Sequence, residues 1–172
     1  MIRRLTIISL VLFILFLQAY THAGDAFFKG GIMLKPDGDI DFKHKWRLSF
    51  GSDYMKWDQI GAGFEIQLAY SSEDIVNETF YYIPLNVFVN VKYKTATEGI
   101  RAFGGGGIGM LSKLIFDGDS TWYKRIGIHA VGGAEFGSLE QTAFVVELQL
   151  IKPISGDEPK DTEVLLLAGI KW

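Results

Sequence analysis

The sequence predicts an all-β protein, an eight-stranded antiparallel up-and-down transmembrane β-barrel that follows a cleavable signal peptide. Three observations carry this prediction. One long segment alternates between an apolar and a polar face, seven further segments alternate in the same way, and the charged side chains share one face of nearly all of them. A barrel in a membrane needs this pattern because lipid surrounds its outer face while its interior is polar.

Residues 81–93 form the most informative segment. Their odd positions are all apolar or aromatic, with a tyrosine at each end, and their even positions include Asn86, Asn90 and Lys92. A period of two is that of a β-strand. At about 3.3 Å per residue such a strand is roughly 40 Å long. Tilted by ~45°, it crosses a hydrocarbon core of about 30 Å and places tyrosine at both interfaces.

Residues 1–23 have the pattern of a secretory signal peptide. Two arginines precede the apolar run 5–17, and small residues stand at the positions expected before cleavage after Ala23. We therefore expect two parts, the signal peptide 1–23 and the outer-membrane β-barrel 24–172. A retained membrane anchor is the alternative, but the run is short for a span of about 20 residues.

The composition excludes several classes of protein. The formal net charge is −3 and cysteine is absent. Without a basic surplus we expect no nucleic-acid partner. Without cysteine there is no disulfide framework, thiolate metal site or lipid-anchored N-terminal cysteine. No run after residue 23 suits a membrane helix, so insertion would require strands closed into a barrel.

The alternating segments follow one another along the chain without a convincing helix between them. In order they are residues 26–35, 44–50, 60–71, 81–93, 99–112, 122–137, 142–152 and 163–172. Apart from residues 81–93, their apolar faces include Phe28 and Ile32; Trp46 and Leu48; Phe64 and Leu68; Ile108 and Met110; Ile126 and Ile128; Phe144 and Leu148; and Leu166 and Ile170. An even number of hairpin-connected strands suits a closed barrel.

The connections between these segments alternate in length. Residues 35–43, 72–79, 113–121 and 153–162 are longer and acidic, whereas 95–98 and 138–141 are tight. Both chain ends of the barrel then lie on the side of the tight turns. Residues 52–59 are the exception, because they are long but fall on that side. We expect the strands around them to extend further, with Tyr54 and Trp57 at the membrane interface.

The polar faces distinguish a membrane barrel from a soluble, lipocalin-like cup. They carry Lys29, Arg47, Glu65, Gln67, Asn86, Asn90, Lys92, Arg101, Arg125, His129, Glu135, Glu147 and Gln149. These are too many charges for a dry ligand cavity, and an interior bounded by eight strands can be filled by side chains. We therefore expect a plugged polar lumen. Its structural network would consist of Arg47, Glu65, Asn86, Asn90, Arg101, Arg125, His129, Glu135 and Glu147.

With these residues placed, the chain resembles the small outer-membrane β-barrels of Gram-negative bacteria, the OmpA/OmpX-like "porin family". The resemblance covers residues 24–172. It rests on the signal peptide, the strand 82–93, the glycine-rich strand 103–109 and the C-terminal aromatic residue. It implies an outer-membrane location, no cofactor, a monomer, and contact with outer-membrane lipid and lipopolysaccharide.

The last strand resembles the signal that the barrel-assembly machinery reads during biogenesis. The residues that carry this resemblance are Val164, Leu166, Ala168, Ile170 and Trp172. Chains of the family more often end in phenylalanine, so this chain departs from the usual pattern at its final residue. The resemblance implies the assembly machinery as a transient partner.

His129 is the only histidine deep within a predicted strand, where it could serve as a catalytic base. We favour a structural place for it in the lumen, near Arg125 and Glu135 on the same face. Some outer-membrane barrels are lipid A deacylases, and resemblance to them would require a His-x-Ser pair on a strand. Neither His129 nor His44 is followed by a serine two positions on.

Asp37, Asp39 and Asp41 space three carboxylates along one predicted loop. Such spacing can bind Ca²⁺. The glycine and distal glutamate of an EF-hand are absent in register, so we favour a solvated acidic loop and assign no metal site. Weak bridging of divalent ions to lipopolysaccharide phosphates is the alternative.

Residues 104–107 are four consecutive glycines. A phosphate-binding loop would need a following helix and lysine, which the sequence lacks. Glycine here instead relieves crowding in a narrow barrel, or allows a bend or bulge.

Together these features predict a non-enzymatic integral outer-membrane protein with a plugged polar lumen and acidic extracellular loops, in a structural or surface-interaction role. They assign no catalytic, cofactor-binding or metal-binding residue. The alternatives are a lipid A-modifying outer-membrane enzyme and a narrow pore for small solutes.

Overall fold

The computed structural model describes residues 25–35, 46–75, 78–95, 99–116, 120–137, 142–155 and 162–172. Eight antiparallel strands form a closed barrel in which each pairs with its neighbours in sequence and β8 pairs with β1. The strands are β1 (Asp25–Lys35), β2 (Trp46–Trp57), β3 (Ile60–Ile75), β4 (Glu78–Lys94), β5 (Ile100–Phe116), β6 (Ser120–Phe136), β7 (Ala143–Pro153) and β8 (Glu163–Lys171). The predicted eight-stranded antiparallel barrel is confirmed, whereas the predicted signal peptide lies outside the described residues. Within the described residues, no helix is long and apolar enough to cross a membrane.

The two ends of the barrel are distinguished here by the position of the chain termini. At one end, here called the tight-turn end, Asp58 and Gln59 alone join β2 to β3. Asp58 has φ 53°, a left-handed conformation in which aspartate is enriched among non-glycine residues. Both barrel termini lie at this end, because the backbones of Ala26 and Trp172 exchange two hydrogen bonds of 2.9 Å. The opposite end is called the loop end.

The β2–β3 hairpin explains the exceptional segment 52–59. Most of it is strand, because β2 continues to Trp57 and β3 begins at Ile60, so the expected extension of the flanking strands is confirmed. Trp57 is 62% exposed at the tight-turn end, which is where an interfacial aromatic side chain belongs. The side chain of Tyr54 lies outside the described part of the structure.

The expectation that residues 72–79 and 113–121 form long connections is wrong. β3 continues to Ile75 and β4 begins at Glu78, while β5 continues to Phe116 and β6 begins at Ser120. Glu73 pairs with Phe80 and Asp74 with Thr79, so polar residues remain in the ladder after the apolar alternation ends. The paired strand of the hairpin forms hydrogen bonds with the backbone of these residues, regardless of their side chains. The other predicted connections lie wholly or mostly outside the described residues.

The outer face of the barrel is a continuous apolar surface, here called the apolar belt. Its exposed side chains include Phe28, Ile32, Leu34, Val89, Val91, Ile108, Met110, Ile126, Ile128, Leu148, Leu150, Leu166 and Ile170. Trp57, Tyr93, Phe136, Phe144 and Trp172 add exposed rings near the tight-turn end. Monomeric soluble proteins rarely expose apolar patches beyond a few hundred Å², whereas a lipid-facing surface requires one.

The glycine run shows how narrow the barrel is. Gly104 is exposed and has open space beside it, since an added Cβ would have its nearest neighbour, the carbonyl oxygen of Val131, at 3.9 Å. A Cβ on Gly105 would overlap the carbonyl oxygen of Val91 and lie 2.8 Å from Cα of Lys92. Of these two adjacent positions, only position 105 requires glycine, because the neighbouring strand lies too close there for a side chain.

We expect Gly105→Ala to lower the free energy of unfolding by about 1–3 kcal/mol, the usual cost of forcing extra atoms into a packed site. Gly104→Ala is the matched control and should change it by less than about 0.5 kcal/mol. Urea titration of barrels refolded in lipid vesicles, followed by tryptophan fluorescence, measures both. Equal losses at the two positions would contradict the steric explanation.

Candidate functional site

All nine side chains of the predicted lumen network are buried. They are Arg47, Glu65, Asn86, Asn90, Arg101, Arg125, His129, Glu135 and Glu147, none more than 9% exposed. They come from β2 through β7 and alternate along each strand with residues of the outer face. Closure of the sheet therefore turns the polar faces of separate strands into one enclosed volume. The contacts inside it form three groups with different partners.

Glu65 is the centre of the first group, here called the central cluster: Lys29, Ser49, Glu65, Gln67, Asn90, Lys92, Glu147 and Gln149. Its Oε1 accepts hydrogen bonds from Lys29 Nζ at 3.2 Å and Ser49 Oγ at 2.6 Å. The same oxygen accepts from the side-chain amides of Gln67 at 2.9 Å and Gln149 at 2.8 Å. Glu65 is fully buried, and a buried charge is tolerated only where partners of this kind surround it.

Lys29 connects the two carboxylates of the central cluster, because its ammonium contacts both Glu65 and Glu147. Lys92 lies beside them, with Nζ 3.6 Å from Glu147 Oε2. The same ammonium stands 4.8 Å from the ring centre of Phe27 and 5.6 Å from that of Phe103. Such cation–π contacts partly replace the hydration that a buried ammonium has lost.

The second group, here called the rim cluster, lies at the tight-turn end and consists of Asp25, Asp53, Lys94, Arg101, Glu135 and Lys171. Lys94 Nζ lies 2.8 Å from Asp53 and 3.1 Å from Glu135. Lys171 Nζ lies 2.7 Å from Asp25 and 3.1 Å from Glu135. Arg101 pairs with the second oxygen of Glu135 at 3.1 Å. Positive and negative groups alternate here, so each charge has opposite neighbours.

The third group is a single ion pair near the loop end. Arg47 NH1 lies 2.9 Å from Glu163 Oε2 and donates a hydrogen bond of 3.2 Å to Gln67 Oε1. The pair therefore connects to the central cluster through Gln67. Asn86 and Arg125 are buried on the same inner side, each opposite Leu111 in the strand register.

His129 is buried on the inner face of β6. Its ring stacks face to face on Phe88, with ring centres 4.3 Å apart and an interplanar angle of 1°. Neither ring nitrogen has a hydrogen-bond partner among the described residues. The structure therefore does not join His129 to Glu135, whose contacts are with Lys94, Lys171 and Arg101.

The predicted polar lumen also contains apolar side chains. One apolar cluster inside the barrel consists of Met33, Phe88, Leu111, Ile151, Leu165 and Leu167. Phe88, Leu165 and Leu167 pair in the strand register with Glu65, Gln149 and Glu147 of the central cluster. Ile151, Leu165 and Leu167 share the inner parity of their strands with Glu147 and Lys171. This shared parity could have predicted that the three apolar side chains point inward. The charged residues on the same faces made the interior look polar instead.

Several functional side chains are absent from the predicted network although the structure includes them in it. Lys29, Ser49 and Lys92 lie on polar faces that the sequence predicts. The inclusion of Asp53, Glu163 and Lys171 in the ion pairs depends on the strand register. Within the described ranges no group of three His, Cys, Asp or Glu side chains could hold a metal ion. The acidic loop with Asp37, Asp39 and Asp41 lies outside those ranges.

Comparison with known proteins supports the fold. No family model matches the chain, and no curated protein matches it. Neisserial surface protein A has a TM-score of 0.61 at 9% identity, covering 86% of this chain and 94% of its own. OprG from Pseudomonas aeruginosa has a TM-score of 0.57 at 16% identity, with 87% and 94% covered. The outer membrane enzyme PagL has a TM-score of 0.54 at 16% identity, with 86% and 97% covered.

The closed eight-stranded antiparallel barrel of this chain is thus the fold of small outer-membrane β-barrel proteins. The similar structures include a surface protein, an outer-membrane protein and an enzyme. The shared fold therefore leaves the particular role open.

Proposed function

We propose that the chain is a non-enzymatic integral protein of the bacterial outer membrane, with a plugged lumen and a structural or surface-interaction role. This proposal rests on which face of the barrel is apolar and which is charged. The outside of the closed barrel is the apolar belt, while the inside holds three groups of ion pairs. A water-soluble barrel would have the opposite arrangement, because exposed charges are favourable only where water reaches them.

In this proposal the tight-turn end faces the periplasm and the loop end faces the outside of the cell. Exposed Lys124 and Lys152 lie on the outer face near the loop end, in line with the apolar belt residues Ile126 and Leu150. Ammonium groups there suit the phosphates of lipopolysaccharide, the proposed lipid partner. Closure of β8 onto β1 leaves no free strand edge along the belt, which favours a monomer.

The final strand supports the proposed role of an assembly signal. Leu166, Ile170 and Trp172 are exposed on the outer face, and Ala168 and Val164 share their parity. β8 also makes the closing contact with β1. A recognition sequence on this face would be accessible until the barrel closes and lipid covers it.

An enzymatic role would need a catalytic group within reach of lipid. PagL is an enzyme with this fold, so the fold itself does not exclude the activity. His129 is 4% exposed and stacks on Phe88 inside the barrel, whereas an acyl chain of lipid A would lie against the outer face. It has no serine two residues on. The geometry therefore favours a structural histidine.

Expression in a Gram-negative host tests this proposal. We expect the protein in the outer-membrane fraction, with different gel migration before and after boiling because a closed barrel resists detergent until heated. The mass spectrum of lipid A should be the same with and without the protein. An acyl-chain change that disappears in His129→Ala would instead support the lipid A-modifying enzyme, and recovery in the soluble fraction would contradict the membrane location.

A further inference from the structure

Three residues of neighbouring strands lie side by side at the level of His129. Asn90 of β4 pairs with Gly107 of β5, and Gly107 pairs with His129 of β6. Residues that are directly opposite in a ladder point to the same face of the sheet, and the side chains of Asn90 and His129 are buried inside the barrel. Gly107 stands between them and has no side chain to keep them apart.

The missing side chain of Gly107 lets two polar atoms approach the same point. A Cβ added there would lie 2.7 Å from Asn90 Oδ1 and 2.9 Å from His129 Nε2. It would also overlap the carbonyl oxygen of Val89, so the position requires glycine. Both distances are those of hydrogen bonds. Asn90 and His129 therefore direct polar atoms toward one small region on the inner side of Gly107.

Neither of these two atoms has a hydrogen-bond partner among the described residues. Asn90 is 1% exposed and His129 is 4% exposed, so bulk water does not reach them. An unpaired buried polar atom costs about 1–3 kcal/mol, and most buried side-chain polar atoms bond to protein or to ordered water. The two atoms are separated by at most the sum of their distances to the Cβ position of Gly107, a gap that one water molecule can bridge.

Glu65 determines which way the amide of Asn90 points. Asn90 Nδ2 donates a hydrogen bond of 3.4 Å to Glu65 Oε2, and an ionised carboxylate can only accept. The amide nitrogen therefore faces Glu65, while Oδ1 faces Gly107 and His129. Because Oδ1 is an acceptor, the link from His129 must supply a proton. A neutral imidazole carries one N–H, and Nε2 is the ring nitrogen that faces Asn90.

We infer that one water molecule is bound beside Gly107, where it accepts a hydrogen bond from Nε2–H of His129 and donates one to Asn90 Oδ1. Asn90 in turn donates to Glu65, so a chain of hydrogen bonds connects the His129 ring to the central cluster. His129 is then a positioning residue: its stack on Phe88 fixes the ring plane, and the water holds the amide of Asn90 toward Glu65. The inference depends on the closed barrel and not on its proposed location or role.

NMR of the ¹⁵N-labelled barrel refolded in detergent micelles tests this inference, at a mildly alkaline pH where histidine is neutral. Long-range ¹H–¹⁵N correlations of the imidazole distinguish the Nε2–H tautomer from the Nδ1–H tautomer. The signals of His129 are identified by their loss in His129→Phe, which keeps an aromatic ring to stack on Phe88. We expect the Nε2–H tautomer, with a nuclear Overhauser effect between its ring protons and a long-lived water.

Asn90→Leu removes the acceptor while keeping a side chain of similar size, so the water signal at His129 should be lost. Asn86→Leu is the matched control, because Asn86 is also buried on β4 but pairs with Leu111 instead of Gly107; it should leave the signal unchanged. An Nδ1–H tautomer, no water signal in the unsubstituted barrel, or an undiminished signal in Asn90→Leu would each overturn the inference. The first two are measured without any substitution near the site, so a variant that fails to refold does not remove the test.

Discussion

Replacing Glu65 with leucine should lower the free energy of unfolding of the barrel by about 3–5 kcal/mol, the usual effect of removing one partner of a buried ion pair. The loss arises because Lys29, Ser49 and the amides of Gln67 and Gln149 all donate to one oxygen of Glu65. Leucine fills a similar space but accepts nothing, and water cannot replace it at a fully buried position. Urea titration of the refolded barrel measures the change.

Two further variants separate charge from packing in this prediction. Glu65→Gln keeps an acceptor of the same size and should cost less than Glu65→Leu. The double variant Glu65→Leu with Lys29→Met removes both members of the 3.2 Å pair. Its cost should be smaller than the sum of the two single losses, as expected for residues in contact. An additive result would show that Glu65 and Lys29 are not coupled. A loss below about 1 kcal/mol for Glu65→Leu would show that the central cluster adds little stability.

Val89→Arg should reduce the stability of the folded barrel in lipid by about 2–4 kcal/mol, the cost of an arginine at the middle of a lipid-facing strand. Val89 is 63% exposed, and its neighbours on the adjoining strands are Phe64 and Ile108. Lipid chains would surround the new guanidinium, and no described acidic side chain of the belt could pair with it. Refolding yield and urea titration in vesicles report the effect.

Thr142→Arg is the matched control for Val89→Arg, because it introduces the same side chain at an exposed position beside the tight turns. Water or lipid headgroups reach that position, so the expected change is less than about 1 kcal/mol. If Val89→Arg were as mild as the control, the apolar belt would not face hydrocarbon. The assignment of the two faces would then be wrong.

The strand β4 shows how much of the fold can be predicted from the sequence. The alternation in residues 81–93 predicts Val89 and Val91 outside and Asn90 and Lys92 inside, and the structure agrees. The prediction works because side chains of a strand alternate between faces whatever its partners are. The ends of β4 were less predictable, since Glu78 and Lys94 belong to it through backbone pairing with β3 and β5.

The candidate site was predictable as a set of buried residues but not as a set of contacts. Sequence parity places Lys29, Glu65 and Glu147 on inner faces. Their meeting at one point depends on strand tilt, register and closure, because Lys29 and Glu147 are 118 residues apart. The same dependence explains why His129 stacks on Phe88 when the sequence suggested neighbours from its own strand.

The sequence by itself determined that the chain forms strands, which side of each strand is apolar, and that the apolar side is the outer one. The alternation of apolar and polar residues, the positions of the charges and the number of strands can all be read along the chain, because none of them depends on contacts between distant residues. Only the tertiary structure decided that four side chains donate to one oxygen of Glu65, that the central and rim clusters line one cavity, and that Leu165 and Leu167 pack with Phe88. These depend on contacts across the barrel, which exist only after β8 has paired with β1.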